Sequence, residues 1–127
     1  MGRLIQAENI VKCFREKKQR VLAVDHVSLH LDEGEILGII GESGSGKSTI
    51  LRLLSGIIQP DEGQVTLFGK SLDRKDRSRF RNIQMIFQDA RASFDKQYTI
   101  EQSLNEVRKY LNPNVLENRF LLQEVGL

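Results

Sequence analysis

The chain has 127 residues, with 19 Lys and Arg against 17 Asp and Glu, 39% apolar residues and a single cysteine, Cys13. That length accommodates one domain with a modest core, and the net charge of +2 is too small to argue for a nucleic-acid partner. One thiol excludes an internal disulfide framework and fits a reducing cytoplasm. No apolar run approaches the roughly 20 residues of a membrane span and no signal-peptide apolar core is present, so any membrane association is expected to go through a partner.

Residues 4–14 hold Ile5, Ala7, Ile10, Val11 and Phe14, an imperfect strand pattern. Cys13 falls within it as a small strand residue. The stretch 16–20 is polar and reads as a turn, and the basic residues between Lys12 and Arg20 read as a solvated hairpin loop rather than a binding patch. Residues 21–31 alternate, with Val27, Leu29 and Leu31 on one face and His26, Ser28 and His30 on the other. Together these segments predict an antiparallel hairpin with one wet face. The histidines belong to that wet face and have no cysteine or carboxylate at ligand spacing, so metal binding by them is not expected.

A turn over 32–35 leads into Glu35-Ile36-Leu37-Gly38-Ile39-Ile40, a compact apolar run that suits a buried parallel strand. Gly41-Glu42-Ser43-Gly44-Ser45-Gly46-Lys47-Ser48-Thr49 follows and fits G-x-x-x-x-G-K-[ST], the phosphate-binding P-loop. The residue types suit the chemistry. Glycines let successive N–H groups converge on one anion, Lys47 brings a point charge to the β- and γ-phosphates, and the Ser48 hydroxyl can ligate Mg²⁺. The next residues predict a helix that packs Ile50, Leu51, Leu53 and Leu54 inward and turns its positive end toward the same phosphates. A flexible Gly/Ser linker would need neither the Lys-Ser-Thr ending nor apolar segments on both sides.

Gly56 suits a helix end, and Gln59-Pro60-Asp61-Glu62-Gly63 is a turn signal. Residues 64–68 predict a short strand closed by Gly69. Residues 72–82 are highly charged and read as an exposed short helix or loop. Ile83-Gln84-Met85-Ile86-Phe87-Gln88 reads as another strand, mostly buried. Two helices are predicted over 98–111 and 113–125. The first carries Ile100, Leu104, Val107 and Leu111 at helical spacing; the second starts at Pro113 and stops at Gly126.

Several segments beyond the P-loop make the chain resemble the nucleotide-binding subunit of an ATP-binding cassette (ABC) transporter. Val24-Asp25-His26-Val27-Ser28-Leu29 followed by Glu33-Gly34-Glu35-Ile36-Leu37-Gly38 looks like the family's lead-in to the P-loop. Leu53-Leu54-Ser55-Gly56 through Pro60 and Gly63 looks like its continuation, and Gln84-Met85-Ile86-Phe87-Gln88-Asp89 like the segment that carries its Q-loop glutamine. Within the family the P-loop run and Met85-Ile86-Phe87-Gln88-Asp89-Ala90-Arg91-Ala92-Ser93-Phe94 are most similar to the peptide and nickel importers.

The resemblance implies an α/β fold: a P-loop NTPase core with an antiparallel β lead-in. Residues 1–97 would form the lead-in, P-loop and Q-loop core, and 98–127 the start of a helical subdomain. It implies ATP and Mg²⁺ as cofactors. Gly41, Glu42, Ser43, Gly44, Ser45, Gly46, Lys47, Ser48 and Thr49 would hold the triphosphate, and Ser48 and Gln88 the metal or attacking water. Phe14 stands where the family places an adenine-stacking aromatic, most often tyrosine. The implied partners are transmembrane permease subunits, a second ATP-binding subunit and, indirectly, a solute-binding protein, with the subunit peripheral on the cytoplasmic face of the membrane.

The family's signature motif, its Walker B strand ending in Asp-Glu and its switch histidine are not found in these 127 residues. Leu54-Ser55-Gly56 continues with Ile57 rather than as the signature. Phe120-Leu121-Leu122-Gln123-Glu124 has Gln123 where Walker B has aspartate. The expectation is therefore an N-terminal portion of the subunit that is inactive in hydrolysis by itself. The rival readings are a non-catalytic nucleotide-binding or regulatory P-loop module and, less well matched to the β-rich lead-in and the Gln88 segment, a P-loop kinase of a small substrate.

Overall fold

In the computed structural model the described residues are 2–73, 75, 82–89, 93–110 and 118–126. They fall into two compact units, 1–79 and 80–127, and each is described by itself. Strands β1 (Arg3–Glu16) and β2 (Gln19–Asp32) form the predicted hairpin, each longer than the sequence pattern suggested. Lys17 and Lys18 join them, both at positive φ (43° and 77°), the backbone twist that a two-residue hairpin turn requires. Helix α1 (Lys47–Leu54) follows the P-loop. Strands β3 (Glu62–Leu67) and β4 (Lys70–Ser71) complete an antiparallel sheet of order β2-β1-β3-β4.

The imperfect pattern of the first strand has a structural cause. Asn9 takes φ 46°, and the register of β1 shifts against both neighbours around it, between Ala7 and Ile10 toward β2 and between Glu8 and Val11 toward β3. This bulge passes the inward position, which strict alternation from Ala7 would give to Asn9, to Ile10. Ile10 is fully buried. Ser28 and Gly63 support the bulge from either side. The Ser28 hydroxyl accepts the Asn9 N–H at 2.9 Å. A Cβ at Gly63 would lie 2.4 Å from the carbonyl oxygens of both Glu8 and Asn9, so this position admits glycine alone.

The buried apolar residues of the first unit come from β1 (Ala7, Ile10, Val11), β2 (Val24), β3 (Val65, Leu67) and α1 (Leu53, Leu54), with Leu72 after the sheet. Helix α1 touches the sheet at β2. Its C-terminus closes on Gly56 at φ 69°, whose N–H donates to the Leu53 carbonyl at 3.0 Å, as the glycine signal predicts. On β2, Val27, Leu29 and Leu31 are half-buried while His26, Ser28 and His30 are exposed, so the two-faced reading of that strand holds.

Other expectations need correction. Residues 35–40 form no strand, and Ile36 and Ile40 are 96% and 98% exposed. Residues 83–88 form no strand either, and Ile86 is 97% exposed rather than buried. A strand exists only where another chain segment accepts its hydrogen bonds in a ladder, and neither segment takes a place in the sheet of the described residues. Leu51 is half-exposed rather than inward, while Leu53 and Leu54 are buried. Lys12 to Phe14 belong to β1 rather than to a hairpin loop, which leaves the tight Lys17-Lys18 turn as the basic tip.

In the second unit, helix α2 spans Ile100–Tyr110 and helix α3 spans Asn118–Glu124. Thr99 caps α2 reciprocally with Gln102. The Gln102 N–H donates to Thr99 Oγ1 at 3.2 Å, and the Thr99 N–H donates to Gln102 Oε1 at 2.8 Å, a capping box. The Asn118 amide donates to Asn105 Oδ1 at 2.9 Å and links α3 to α2. Gly126 ends α3 as predicted, at φ 78°. Ile100 and Val107 are exposed. The predicted helix start at Pro113, the stripe position Leu111, most of the charged 72–82 segment and Ala90, Arg91 and Ala92 lie outside the described residues.

Large apolar side chains left to solvent, as Ile36 and Ile40 are, recruit other chains. The chain is therefore expected to self-associate, and the double substitution Ile36→Lys with Ile40→Lys to shift it toward monomer in sedimentation velocity. A monomeric wild-type chain with one sharp thermal transition would contradict this.

Candidate functional site

The P-loop is built on the hairpin through a single close approach. Gly46 stands at φ 92°, and a Cβ there would lie 2.3 Å from the Ala23 carbonyl oxygen and 3.9 Å from Val24 Cγ2 on β2. Both the left-handed backbone and the contact require glycine. Gly46 is also the residue before α1, and its carbonyl accepts the Ile50 N–H at 2.9 Å, which starts the helix. No side chain caps this helix end. The first N–H groups of α1 thus keep their donors for an anion, next to the positive end of the helix dipole.

Lys47 folds back across the loop. Its Nζ donates to the Gly41 carbonyl at 2.8 Å and to Ser45 Oγ at 3.3 Å, and also to the Glu42 carbonyl. The Ser45 N–H donates to the Glu42 carbonyl at 3.2 Å and closes the turn. Glu42, Ser43, Gly44 and Ser45 are exposed, Lys47 and Thr49 are half-buried, and Ser48 is exposed on the first turn of α1. The ammonium, the uncapped N-terminus of α1 and the Ser48 hydroxyl on its first turn therefore belong to one short segment, 41–49. That donor set suits a polyphosphate with a divalent cation, because it offers positive charge and N–H groups to the anion and an oxygen to the metal.

Phe14 lies in the same unit. It pairs with Val21 in the β1–β2 register, and Cys13 pairs with Leu22. Ala23, which seats Gly46, is the next residue along β2. The hairpin thus brings the half-buried Phe14 ring to the part of the sheet that carries the P-loop. Gln88 belongs to the second unit, where it is exposed at a bend.

Two residues beside Phe14 were missed from sequence. Lys12 Nζ donates to Asp61 Oδ1 at 2.8 Å and stands 5.9 Å from the centroid of the Phe14 ring. Asp61 Oδ2 accepts the Cys13 N–H at 2.7 Å, just past the point where β3 begins pairing with β1. The Lys12 ammonium first, and the Cys13 N–H second, hold the Asp61 carboxyl below its usual range. The available signal was Lys12 and Phe14 at i and i+2 on one strand, which places them on one face.

The ABC transporter family matches residues 24–125. The chain belongs to the ABC transporter family. It is 44% identical over 89 residues to the methionine import ATP-binding protein MetN of Staphylococcus saprophyticus, covering 67% of this chain and 26% of that protein. It is 35% identical over 119 residues to the oligopeptide transport ATP-binding protein OppF of Haemophilus influenzae, covering 91% of this chain and 36% of that protein. Among solved structures, it is 30% identical to the ATP-binding cassette MJ0796 in a dimeric post-hydrolysis state bound to ADP and phosphate, with a TM-score of 0.56 over 62% of this chain and 34% of that one. The ABC chain thus has an ATP-cassette fold and spans about a quarter to a third of the length of these curated relatives. Among its described residues no helix is long and apolar enough to cross a membrane.

Replacing the Gly46 hydrogen by a methyl group must separate α1 from β2 or rotate the loop. Gly46→Ala is expected to cost about 1–3 kcal/mol and to abolish saturable nucleotide binding, measured by chemical denaturation and by ligand titration. Gly44→Ala, with open space around its α carbon, serves as the comparison.

Proposed function

We propose that this chain is the ATP-binding portion of an ABC transporter subunit that energises peptide or nickel import. In this reading Gly41 through Thr49 hold the triphosphate of ATP, Lys47 neutralises charge on it, and Ser48 with Gln88 holds Mg²⁺. Phe14 stacks on the adenine. The observation that carries the reading is the Lys47 ammonium held over the Gly41 and Glu42 carbonyls at the mouth of a loop seated on β2. OppF, an oligopeptide transport protein by name, supports a peptide solute, and its similarity runs over most of this chain. MetN, named for methionine import, supports import of a small nutrient more generally. The 85–94 segment supports the peptide and nickel branch.

The dimeric state of the MJ0796 cassette supports a second ATP-binding subunit as partner. Transmembrane permease subunits would convert the nucleotide cycle into solute movement, a solute-binding protein would deliver the cargo, and the subunit would sit on the cytoplasmic face of the membrane. A non-catalytic nucleotide-binding module is the second reading. A monomeric chain with one sharp thermal transition that binds ATP would favour it.

The Lys47→Ala substitution is expected to weaken ATP binding about ten- to a hundredfold, since a charge-assisted contact contributes about 1.5–3 kcal/mol. Titration with a fluorescent ATP analogue measures this, and equal affinities for the two proteins would refute phosphate binding by the loop. Hydrolysis needs a general base and a complete metal shell. This chain alone is expected to release no phosphate above background while it binds ATP. Release that disappears in Lys47→Ala would contradict that and favour the catalytic reading for the chain by itself.

A further inference from the structure

We infer that Lys12, fixed by Asp61, is the positioning residue that makes Phe14 a one-sided platform for a purine base. The inference rests on the adenine-stacking reading of Phe14 and adds to it the device that holds the ring. Lys12 Nζ is 5.9 Å from the ring centroid, within the range over which a cation is attracted to an aromatic face. The ammonium does not wander. Asp61 Oδ1 accepts from it at 2.8 Å, and the Lys12 side chain is only 16% exposed.

Asp61 is itself doubly fixed. Its second oxygen takes the Cys13 N–H at 2.7 Å, and its own N–H donates to the Val11 carbonyl at 2.8 Å. The carboxylate therefore extends the β1–β3 ladder by one residue and carries the ammonium at its end. Four consecutive residues of β1, from Val11 to Phe14, are tied to one aspartate or to the cation that it holds.

This arrangement has a chemical consequence. A phenyl ring has two equivalent faces and lacks the hydroxyl with which a tyrosine can fix itself. A cation on one face makes the faces inequivalent: that face is taken, and the opposite one is left for a planar ligand. The cation also draws π density toward itself, which strengthens stacking with an electron-rich purine on the other side. Lys12 acts through Phe14 and has no contact of its own with the base in this scheme.

The test uses the full chain and two ligands, ATP and inorganic tripolyphosphate, titrated at millimolar concentrations and followed by NMR. Lys12→Met keeps the apolar stem and removes the charge. It is expected to weaken ATP about two- to fivefold and to leave tripolyphosphate unchanged. Lys12→Arg restores ATP affinity, and Lys12→Met has no further effect in a Phe14→Ala background. A loss shared by both ligands, or one that persists without Phe14, overturns the inference. If Phe14→Ala weakens ATP alone while Lys12→Met does nothing, the stacking reading survives and the positioning role falls. If Phe14→Ala leaves ATP affinity unchanged, both fall. A measurement without nucleotide stands beside these. The Lys12 ε-methylene protons are expected to shift upfield under the ring current, and to return to ordinary positions in Phe14→Ala and Asp61→Ala. Ordinary positions in the wild-type chain overturn the inference regardless of binding.

Discussion

The α carbon of Gly46 lies against the Ala23 carbonyl with no room for a side chain. That approach joins the antiparallel sheet to the phosphate loop, and most of the first unit serves it. Ala23 lies between Leu22, paired with Cys13, and Val24, paired with Lys12, where the register shifts, on a hairpin that closes at Lys17-Lys18 and is bent again at the Asn9 bulge. The bulge in turn depends on Gly63, which fits beneath the Glu8 and Asn9 carbonyls because it has no Cβ. Two glycines thus shape the first unit, Gly46 by letting the loop touch β2 and Gly63 by letting the sheet bend.

The Lys47 ammonium shows how such a loop is tuned. Its three oxygen partners all belong to the loop itself. A phosphate that engages Lys47 must compete with those oxygens, so the net gain is the difference between two charge-assisted sets and not the full strength of either. The same contacts keep the ammonium over the mouth rather than extended into water, which lowers the ordering cost when an anion arrives. The close seat of Gly46 on β2 and the contacts of Lys47 within the loop both fix the same short segment.

What was legible in the sequence was what is decided locally. The hairpin, the P-loop with its following helix, the Gly56 and Gly126 stops and the wet face with His26 and His30 all follow from spacing and turn chemistry over a few residues. The Thr99–Gln102 capping box was there to be read and was passed over. The strand predictions over 35–40 and 83–88 failed for a physical reason. An apolar run states that a segment is suited to burial, whereas a strand is a relation to a neighbour that the run does not contain. The Lys12–Asp61 pair has the same explanation: in its own window Lys12 reads as a solvated charge and Asp61 as part of a turn, and only a contact across 49 positions shows that they belong together.

These two kinds of information divide the loop itself. Its C-terminal side, Gly46 and α1, is anchored by the hairpin. Its N-terminal side enters from residues 35–40, which pair in no sheet among the described residues and leave Ile36 and Ile40 to solvent. The two sides are not equal in their effect on binding. The helix N-terminus, the Gly46 seat and Lys47 all lie on the anchored side, and the Lys47 ammonium reaches back to fix the Gly41 and Glu42 carbonyls from there. The loop is thus organised from its helical end backward, with the lysine spanning the stretch that the entering segment does not brace. The position of Gly46 and α1 accordingly depends on the local contacts of the hairpin unit more than on the sheet into which residues 35–40 are suited to fit.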